Sequence, residues 1–295
     1  MNSLRWLVFG CLSLGSLGAQ VTALNERIAV SSTAAPDYVR ATLTGGALKP
    51  ESYIFTRGHF LGSGTVDRGL QQTSFESLAR KLAPDLAKQS YLPTRDVASA
   101  DLLIVVHWGT SMVFDDSMRD TQLERLNGEL ASYRAAVAEV GGVADVSALN
   151  SVSYDLQNGQ DNAEFALQQN AKLLGYTRTL NAAGGRDNYQ TEQQKFLAAE
   201  LSEERYFVVL MAYDYQAMRK TKESKLLWVT RLSVRSPGNN FTEALPVLSQ
   251  AGSHVYGRNV DDLVHVKANL RTGRVSFGEM KVLASAEETP PAARK

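Results

Sequence analysis

Residues 102–106 read LLIVV, and residues 206–213 read YFVVLMAY. Both runs are apolar throughout and lack the alternation of a strand that has one face in water. Such runs are typical of strands covered on both faces, so they predict two central strands of one sheet. Residues 228–235 instead alternate between apolar and polar side chains, which predicts a half-exposed strand that pairs antiparallel with residues 206–213.

Weaker strand and helix patterns surround these runs. Short strands are predicted at residues 26–32, 38–43, 52–56, 264–270 and 275–282. Apolar residues at helical spacing predict a helix over 75–86, after a capping box that begins at Thr73, and another over 240–256. We therefore predict an α+β (mixed α/β) fold, with a mostly antiparallel central sheet and two or three helices packed against it.

Residues 117–204 separate the two central runs and predict a helical insertion. Two weak helical patterns lie at residues 162–174 and 189–201. Before them, six apolar residues repeat at alternating spacings of three and four, which is typical of a heptad seam. The seam consists of Leu123, Leu126, Leu130, Tyr133, Val137 and Val140. It either packs on the insertion's own helices or binds an envelope protein partner.

The first 23 residues are typical of a secretory signal peptide. Arg5 precedes a 12-residue apolar stretch, Trp6 to Leu17, which is shorter than the roughly 20 residues that a membrane-spanning helix needs. Cleavage is expected after Ala23 or, as a second choice, after Gly18. Lipidation of Cys11 is an alternative, although Phe9 is bulky beside that cleavage point. We therefore expect an exported protein, periplasmic or extracellular, with association with the outer membrane as an alternative.

Composition narrows the class of the remaining chain. Cys11 is the single cysteine, so the mature chain would contain no thiol, disulfide or thiolate metal site. The 31 basic and 31 acidic residues balance, which disfavours nucleic acid as a partner. No later apolar run is long enough to span a membrane, and no cofactor or metal motif occurs. We predict a single α/β domain over 24–283 and a disordered tail over 284–295.

Candidate catalytic residues are few. His107 follows a central strand, near the strand ends where sites form in α/β sheets. His59 lies in a glycine-rich loop and could pair with Asp67, and Asp214 follows the second apolar run. His107 and His59 also have structural explanations, as a backbone-bonded histidine and a solvated loop residue, and Asp214 by itself does not establish catalysis. His265 lies on the polar face of a predicted strand and needs no role.

Two segments carry a resemblance to known proteins. FESLARKLAPDLAKQSYLPT at 75–94 and ADLLIVVHWG at 100–109 resemble uncharacterised exported or lipoprotein families of bacterial envelopes. The helix-then-strand unit is similar to the small periplasmic α/β domains of envelope-assembly lipoproteins, and LLWVTRLSVRSPGNNFTEALP at 226–246 looks like part of the same group. The resemblance covers a small part of the chain. It implies an envelope location and transfers no catalytic residue.

The sequence therefore favours a non-enzymatic envelope protein that binds or supports other proteins, through the insertion or an exposed hairpin surface. One alternative is a hydrolase that uses His107 or His59 with a carboxylate brought near by the fold. Another is a polysaccharide- or lipid-binding module that uses aromatic and basic surface residues, for which the basic connection at 219–225 is a candidate.

Overall fold

The computed structural model describes residues 26–62, 67–114, 119–140, 147–184, 190–260, 262–270 and 274–276. The predicted leader, with Cys11 and both cleavage sites, and the predicted tail lie outside the described residues. The side chains of Tyr133, Val137 and Val140 also lie outside them, although their helix is described.

Within the described residues, eight strands form one sheet. In chain order they are β1 (Glu26–Ala34), β2 (Glu51–Leu61), β3 (Tyr91–Pro93), β4 (Leu102–Thr110), β5 (Arg205–Asp214), β6 (Leu226–Arg235), β7 (Val264–Asn269) and β8 (Arg274–Ser276). Across the sheet their order is β3-β2-β4-β5-β6-β1-β7-β8. The two apolar runs thus lie in neighbouring central strands, β4 and β5, which pair antiparallel.

The sheet is mixed, which corrects the expectation of a mostly antiparallel one. From β4 to β8 neighbouring strands are antiparallel, but β2 pairs parallel with both β3 and β4. Helical segments follow β2 and return the chain to the end of the sheet from which β2 started, as parallel pairing requires. Residues 38–43 do not form a strand and contribute only an isolated bridge between Thr42 and Leu48.

Helices cover both faces of the sheet, in agreement with the predicted mixed α/β class. They are α1 (Arg68–Gln72), α2 (Phe75–Ala87), α3 (Arg119–Val140), α4 (Ser147–Leu174), α5 (Thr177–Ala182), α6 (Glu192–Ser202), α7 (Tyr215–Thr221) and α8 (Phe241–Gly252). On one face, α2 and α8 bury Leu78, Leu82 and Leu248 against the strands. On the other, α4 and α6 bury Leu174 and Leu201 in a second apolar cluster. No described helix is both long and apolar enough to cross a membrane.

The placement of the helices explains why the burial of β4 and β6 differs from what their sequences predict. The second cluster contains residues of β1, β5 and β6 but none of β4. Consequently β4 buries Leu102, Ile104, Val106 and Trp108 on the α2–α8 face, whereas His107 on its other face is only half-buried. In β6, which α4 contacts, both faces are largely buried. The strand that appears half-exposed in the sequence is therefore covered more fully than the strand that appears central.

Candidate functional site

The structure brings together the two candidate histidines. A register shift in β2 between Arg57 and Phe60 places His59 against β4. The backbone N–H of His59 donates to Nδ1 of His107 at 2.9 Å, and the two rings stack with centroids 5.5 Å apart. Gly58 permits this approach, because a Cβ at that position would lie 2.7 Å from the His107 ring.

The histidine pair lacks the carboxylate that a hydrolase would need. Burial, followed by the charge of His59, lowers the pKa of His107, which favours its neutral form. Since Nδ1 accepts from the backbone, the neutral ring carries its proton on Nε2 and has no free basic nitrogen. No described Asp or Glu side chain hydrogen-bonds to either ring. Nor does any group of three or more His, Cys, Asp or Glu in the described ranges have metal-binding geometry.

Asp67 does not pair with His59, contrary to expectation. Its carboxylate accepts from the Tyr206 hydroxyl at 2.6 Å and from the backbone N–H groups of Gly69 and Phe241 at 2.7 and 3.0 Å. Burial raises the pKa of Asp67, but the hydrogen bonds from Tyr206 and these amides outweigh it and lower the pKa. Asp67 therefore holds the starts of α1 and α8 together, which is a structural role.

Asp214 lies far from both histidines. It pairs with Leu102 at the start of β4, whereas His107 pairs with Val209, five register positions away or roughly 17 Å along the strand. Its carboxylate accepts from the Ala217 N–H at 2.8 Å and so caps α7. Asp214 lines a cleft of about 460 Å³, but that cleft contains no histidine among its described lining residues.

The cap predicts a modest stability effect for Asp214. Replacing Asp214 by alanine should lower the free energy of unfolding by about 1 kcal/mol, because the Ala217 amide loses its acceptor. Asp214→Asn should be close to wild type, since asparagine caps helices about as well. Urea unfolding of the three proteins measures both effects. Equal losses in the alanine and asparagine variants would show that capping is not the role of this residue.

A buried charged network, which the sequence did not indicate, connects α6 to the sheet. Glu200 on α6 bonds His265 Nε2 on β7 at 2.8 Å, Arg205 on β5 at 3.1 Å and the Tyr176 hydroxyl at 3.2 Å. Burial raises the pKa of Glu200, but His265, Arg205 and Tyr176 outweigh it and hold the pKa below its ordinary value. Arg205 also donates to the Ser233 side chain at 3.1 Å.

Glu200 and His265 form a histidine–carboxylate pair, yet their surroundings are those of a structural network. Both side chains are buried, and the rings of Tyr176 and Phe196 contact the imidazole edge-on. Nδ1 of His265 is buried without a hydrogen-bond partner. Clefts of about 310, 260 and 460 Å³ on the described surface are lined by other residues, so substrate has no described path to this pair through them.

The heptad seam lies on α3, and α3 packs chiefly on α4. Leu126 and Leu130 are half-buried, whereas Leu123 remains 40% exposed. Leu126 and Leu130 are thus partly covered within the insertion and Leu123 is not, so binding of a partner by this seam stays a prediction. The two most exposed aromatic rings in the described part of the insertion are on α4, at Tyr154 and Phe165, which are 67% and 57% exposed, whereas Phe196 on α6 is 38% exposed.

Comparisons with known proteins add little to this geometry. No protein-family model matches the chain, and no curated protein matches it. A solved structure of a PDZ domain protein from Parabacteroides distasonis ATCC 8503 aligns over 82% of the chain with 12% identity and a TM-score of 0.37. The alignment spans 39% of that protein. At this level of similarity it carries no inference about fold or function, and the envelope-family resemblance stays a prediction.

Proposed function

We propose that this chain is an exported, non-enzymatic protein of the bacterial envelope, and that it binds a protein partner through the hairpin of α3 and α4. The observation that carries the proposal is the exposed aromatic face of α4. Tyr154 and Phe165 are 11 residues apart, which is close to three helical turns, so both rings project from one face roughly 16 Å apart.

We call the hairpin of α3 and α4 the binding arm. The position of its aromatic face on the molecule suits contact with a partner. The C-terminal end of α4 is anchored by Asn170, which is buried and hydrogen-bonds Met112 and Leu201. Towards its N-terminus, α4 packs on α3, and most of its described side chains are exposed. Large exposed aromatic side chains are enriched among the residues that dominate binding energy at protein interfaces.

Charge on the same face indicates the chemistry of the partner. Asp161 lies between Tyr154 and Phe165 along the axis of α4 and on the same face, and the exposed Glu164 lies roughly 60° further round the helix. Among the described residues, each carboxylate accepts a hydrogen bond from a glutamine one turn away, at 2.9 Å. A partner surface with an apolar groove for the two rings and basic side chains at its border would complement this face.

Photo-crosslinking in intact source cells tests the arm. With benzoylphenylalanine at position 154 or 165, both variants should crosslink to the same discrete protein, because one partner covers both rings. Adding Asp161→Arg should remove most of that adduct, since it opposes basic groups at the groove border. Benzoylphenylalanine at Leu92, an exposed apolar residue on β3, is the matched control and should give no such adduct. An adduct equally strong from Leu92, or insensitive to Asp161→Arg, contradicts the proposal.

Export is tested separately by fractionation and N-terminal sequencing. The protein should be recovered outside the cytoplasm and begin at Leu24, or at Ala19 if the second site is used. Recovery of the protein from the cytoplasm with residues 1–23 still attached would contradict export.

The two alternative functions have weaker support. The hydrolase alternative needs a histidine beside a carboxylate at an accessible cleft, and His107 and His59 have no described carboxylate partner. The basic connection at 219–225, a candidate for binding lipid or polysaccharide, is partly engaged. Arg219 donates to the Ala98 carbonyl at 2.6 Å and Lys225 pairs with Asp37.

A further inference from the structure

A positively charged cleft of about 260 Å³ lies between the sheet and the turn that joins α4 to α5. Its described lining includes three cationic side chains, Lys172, Arg178 and Arg231, against one carboxylate, Asp262. The cationic groups come from different elements, since Lys172 is on α4, Arg178 on α5 and Arg231 on β6. Arg178 has a partner of its own, so the balance rests on Lys172 and Arg231 against Asp262, which still favours an anion.

Arg231 is the central feature of this cleft. It is half-buried on the sheet, directly across from Ser31 of β1, and has no hydrogen bond or ion pair with any described residue. Burial lowers the pKa of Arg231. Its guanidinium nitrogens are not among the buried polar atoms that lack a partner, so they reach the solvent in the cleft. They can therefore donate to an anion that binds there.

Gly175 gives the arginine its room. This residue follows α4 with a φ of +82°, the left-handed conformation in which glycine commonly ends a helix. A Cβ at position 175 would lie 2.6 Å from Ser31 Oγ and 3.0 Å from Arg231 Cδ. The absence of a side chain therefore lets the backbone turn pass beside Arg231 without displacing it.

Hydroxyl groups border the same cleft from two sides. Ser31 and Thr33 come from β1, and Thr177 and Thr179 from α5. Within the described part of the chain, the hydroxyls of Ser31, Thr33 and Thr177 make no hydrogen bond. Thr179 accepts from the Leu263 N–H at 3.2 Å, which leaves its own hydrogen available to donate.

We propose that this cleft binds a tetrahedral oxyanion, a phosphate or sulfate group that is either free or part of a larger molecule. A guanidinium presents paired N–H donors that match two oxygens of such a group, and hydroxyls on other sides can reach the remaining oxygens. The cleft is slightly smaller than the roughly 300–1,000 Å³ typical of sites for drug-sized ligands, which suits one small charged group. The proposal does not depend on the binding arm.

Isothermal titration calorimetry at low ionic strength tests the site, with sodium phosphate, sodium sulfate and sodium acetate as probes at matched ionic strength. Wild type should bind phosphate or sulfate saturably and acetate more weakly. Arg231→Gln should weaken binding at least tenfold, because a charge-assisted hydrogen-bond donor is lost. Lys172→Gln, at an exposed position, should weaken it about threefold and provides a second test should Arg231→Gln fail to fold.

Arg80→Gln is the matched control, because Arg80 is exposed on α2 on the opposite face of the sheet. It should bind like wild type. The proposal is overturned by absence of saturable binding of phosphate and sulfate, by binding unaffected by both Arg231→Gln and Lys172→Gln, or by acetate binding as tightly as the two tetrahedral anions.

Two further probes distinguish a free anion from an attached one. Glycerol 1-phosphate is a soluble phosphomonoester, and phosphatidylglycerol vesicles present phosphodiester groups at a surface. Tighter binding of either probe than of inorganic phosphate, lost in Arg231→Gln, supports a larger phosphate-bearing ligand. Exclusion of both probes while phosphate binds supports a free anion, and in either case Arg231 is expected to carry the affinity.

Discussion

Replacing Glu200 by glutamine is expected to lower the free energy of unfolding by about 3–5 kcal/mol. The Arg205 side chain is only 2% exposed, and its ionic partner is Glu200. Removing one member of a buried ion pair leaves the other charge uncompensated in a medium of low polarity, and this loss is of the stated size. His265 and Tyr176 also lose a charged acceptor. Urea unfolding followed by circular dichroism measures the change.

Glu203→Gln is the matched control three residues away. Glu203 pairs with Arg235 at 2.8 Å, which is shorter than the 3.1 Å between Glu200 and Arg205. The side chains of Glu203 and Arg235 are, however, both about half-exposed. Exposed ion pairs contribute about 0–1 kcal/mol because water screens them. The two variants therefore separate burial from pairing. Equal losses of stability in both would contradict a special role for the buried network.

Wild type and Glu200→Gln should also differ in how their stability depends on pH. Because the pKa of Glu200 is lowered in the folded state, the unfolded chain takes up its proton first as the pH falls. The contribution of this carboxylate is fully present above the ordinary value of 4.5 and is lost as the pH falls through the folded pKa. Wild-type stability should therefore decline more steeply below about pH 4.5 than that of Glu200→Gln. Parallel stability profiles would show that Glu200 does not titrate in this way.

The sequence predicts those features of the fold that depend on neighbouring residues. The runs at 102–106 and 206–213 became β4 and β5, and the insertion between them is helical as expected. The helix after Thr73 also formed, although the N-cap is Ser74, one residue later, and Pro84 lies inside an unbroken α2. These patterns are local, since strand and helix periodicity is a property of consecutive residues.

Features that depend on distant segments were not predictable from one sequence. The parallel pairing of β2 with β3 and β4 depends on where the chain returns, not on the composition of the strands. Arg205 and His265 are 60 positions apart, and neither lies in a motif that identifies a partner. The prediction that His265 needs no role was wrong for this reason. Similarly, the approach of His59 to His107 depends on a register shift in β2.

Gly109→Ala is expected to lower the free energy of unfolding by about 3 kcal/mol or more, although the sequence shows only a glycine after a tryptophan. Gly109 has a φ of +150°, and an added Cβ would lie 1.7 Å from the Leu61 carbonyl oxygen. Leu61 is its partner in the β2–β4 pair, so the methyl group can fit only if the strands separate there. Backbone strain and lost pairing together account for the size of the effect.

Gly128→Ala is the matched control, because it makes the same chemical change where it should be favourable. Gly128 lies on α3, and an added Cβ there meets no atom within 4 Å. Alanine in an exposed helix is about 0.5–1 kcal/mol more favourable than glycine, so this variant should gain stability. The two substitutions should thus have opposite signs in urea unfolding. A Gly109→Ala protein within about 1 kcal/mol of wild type would contradict the close approach of β2 to β4, and with it the geometry that places His59 on His107.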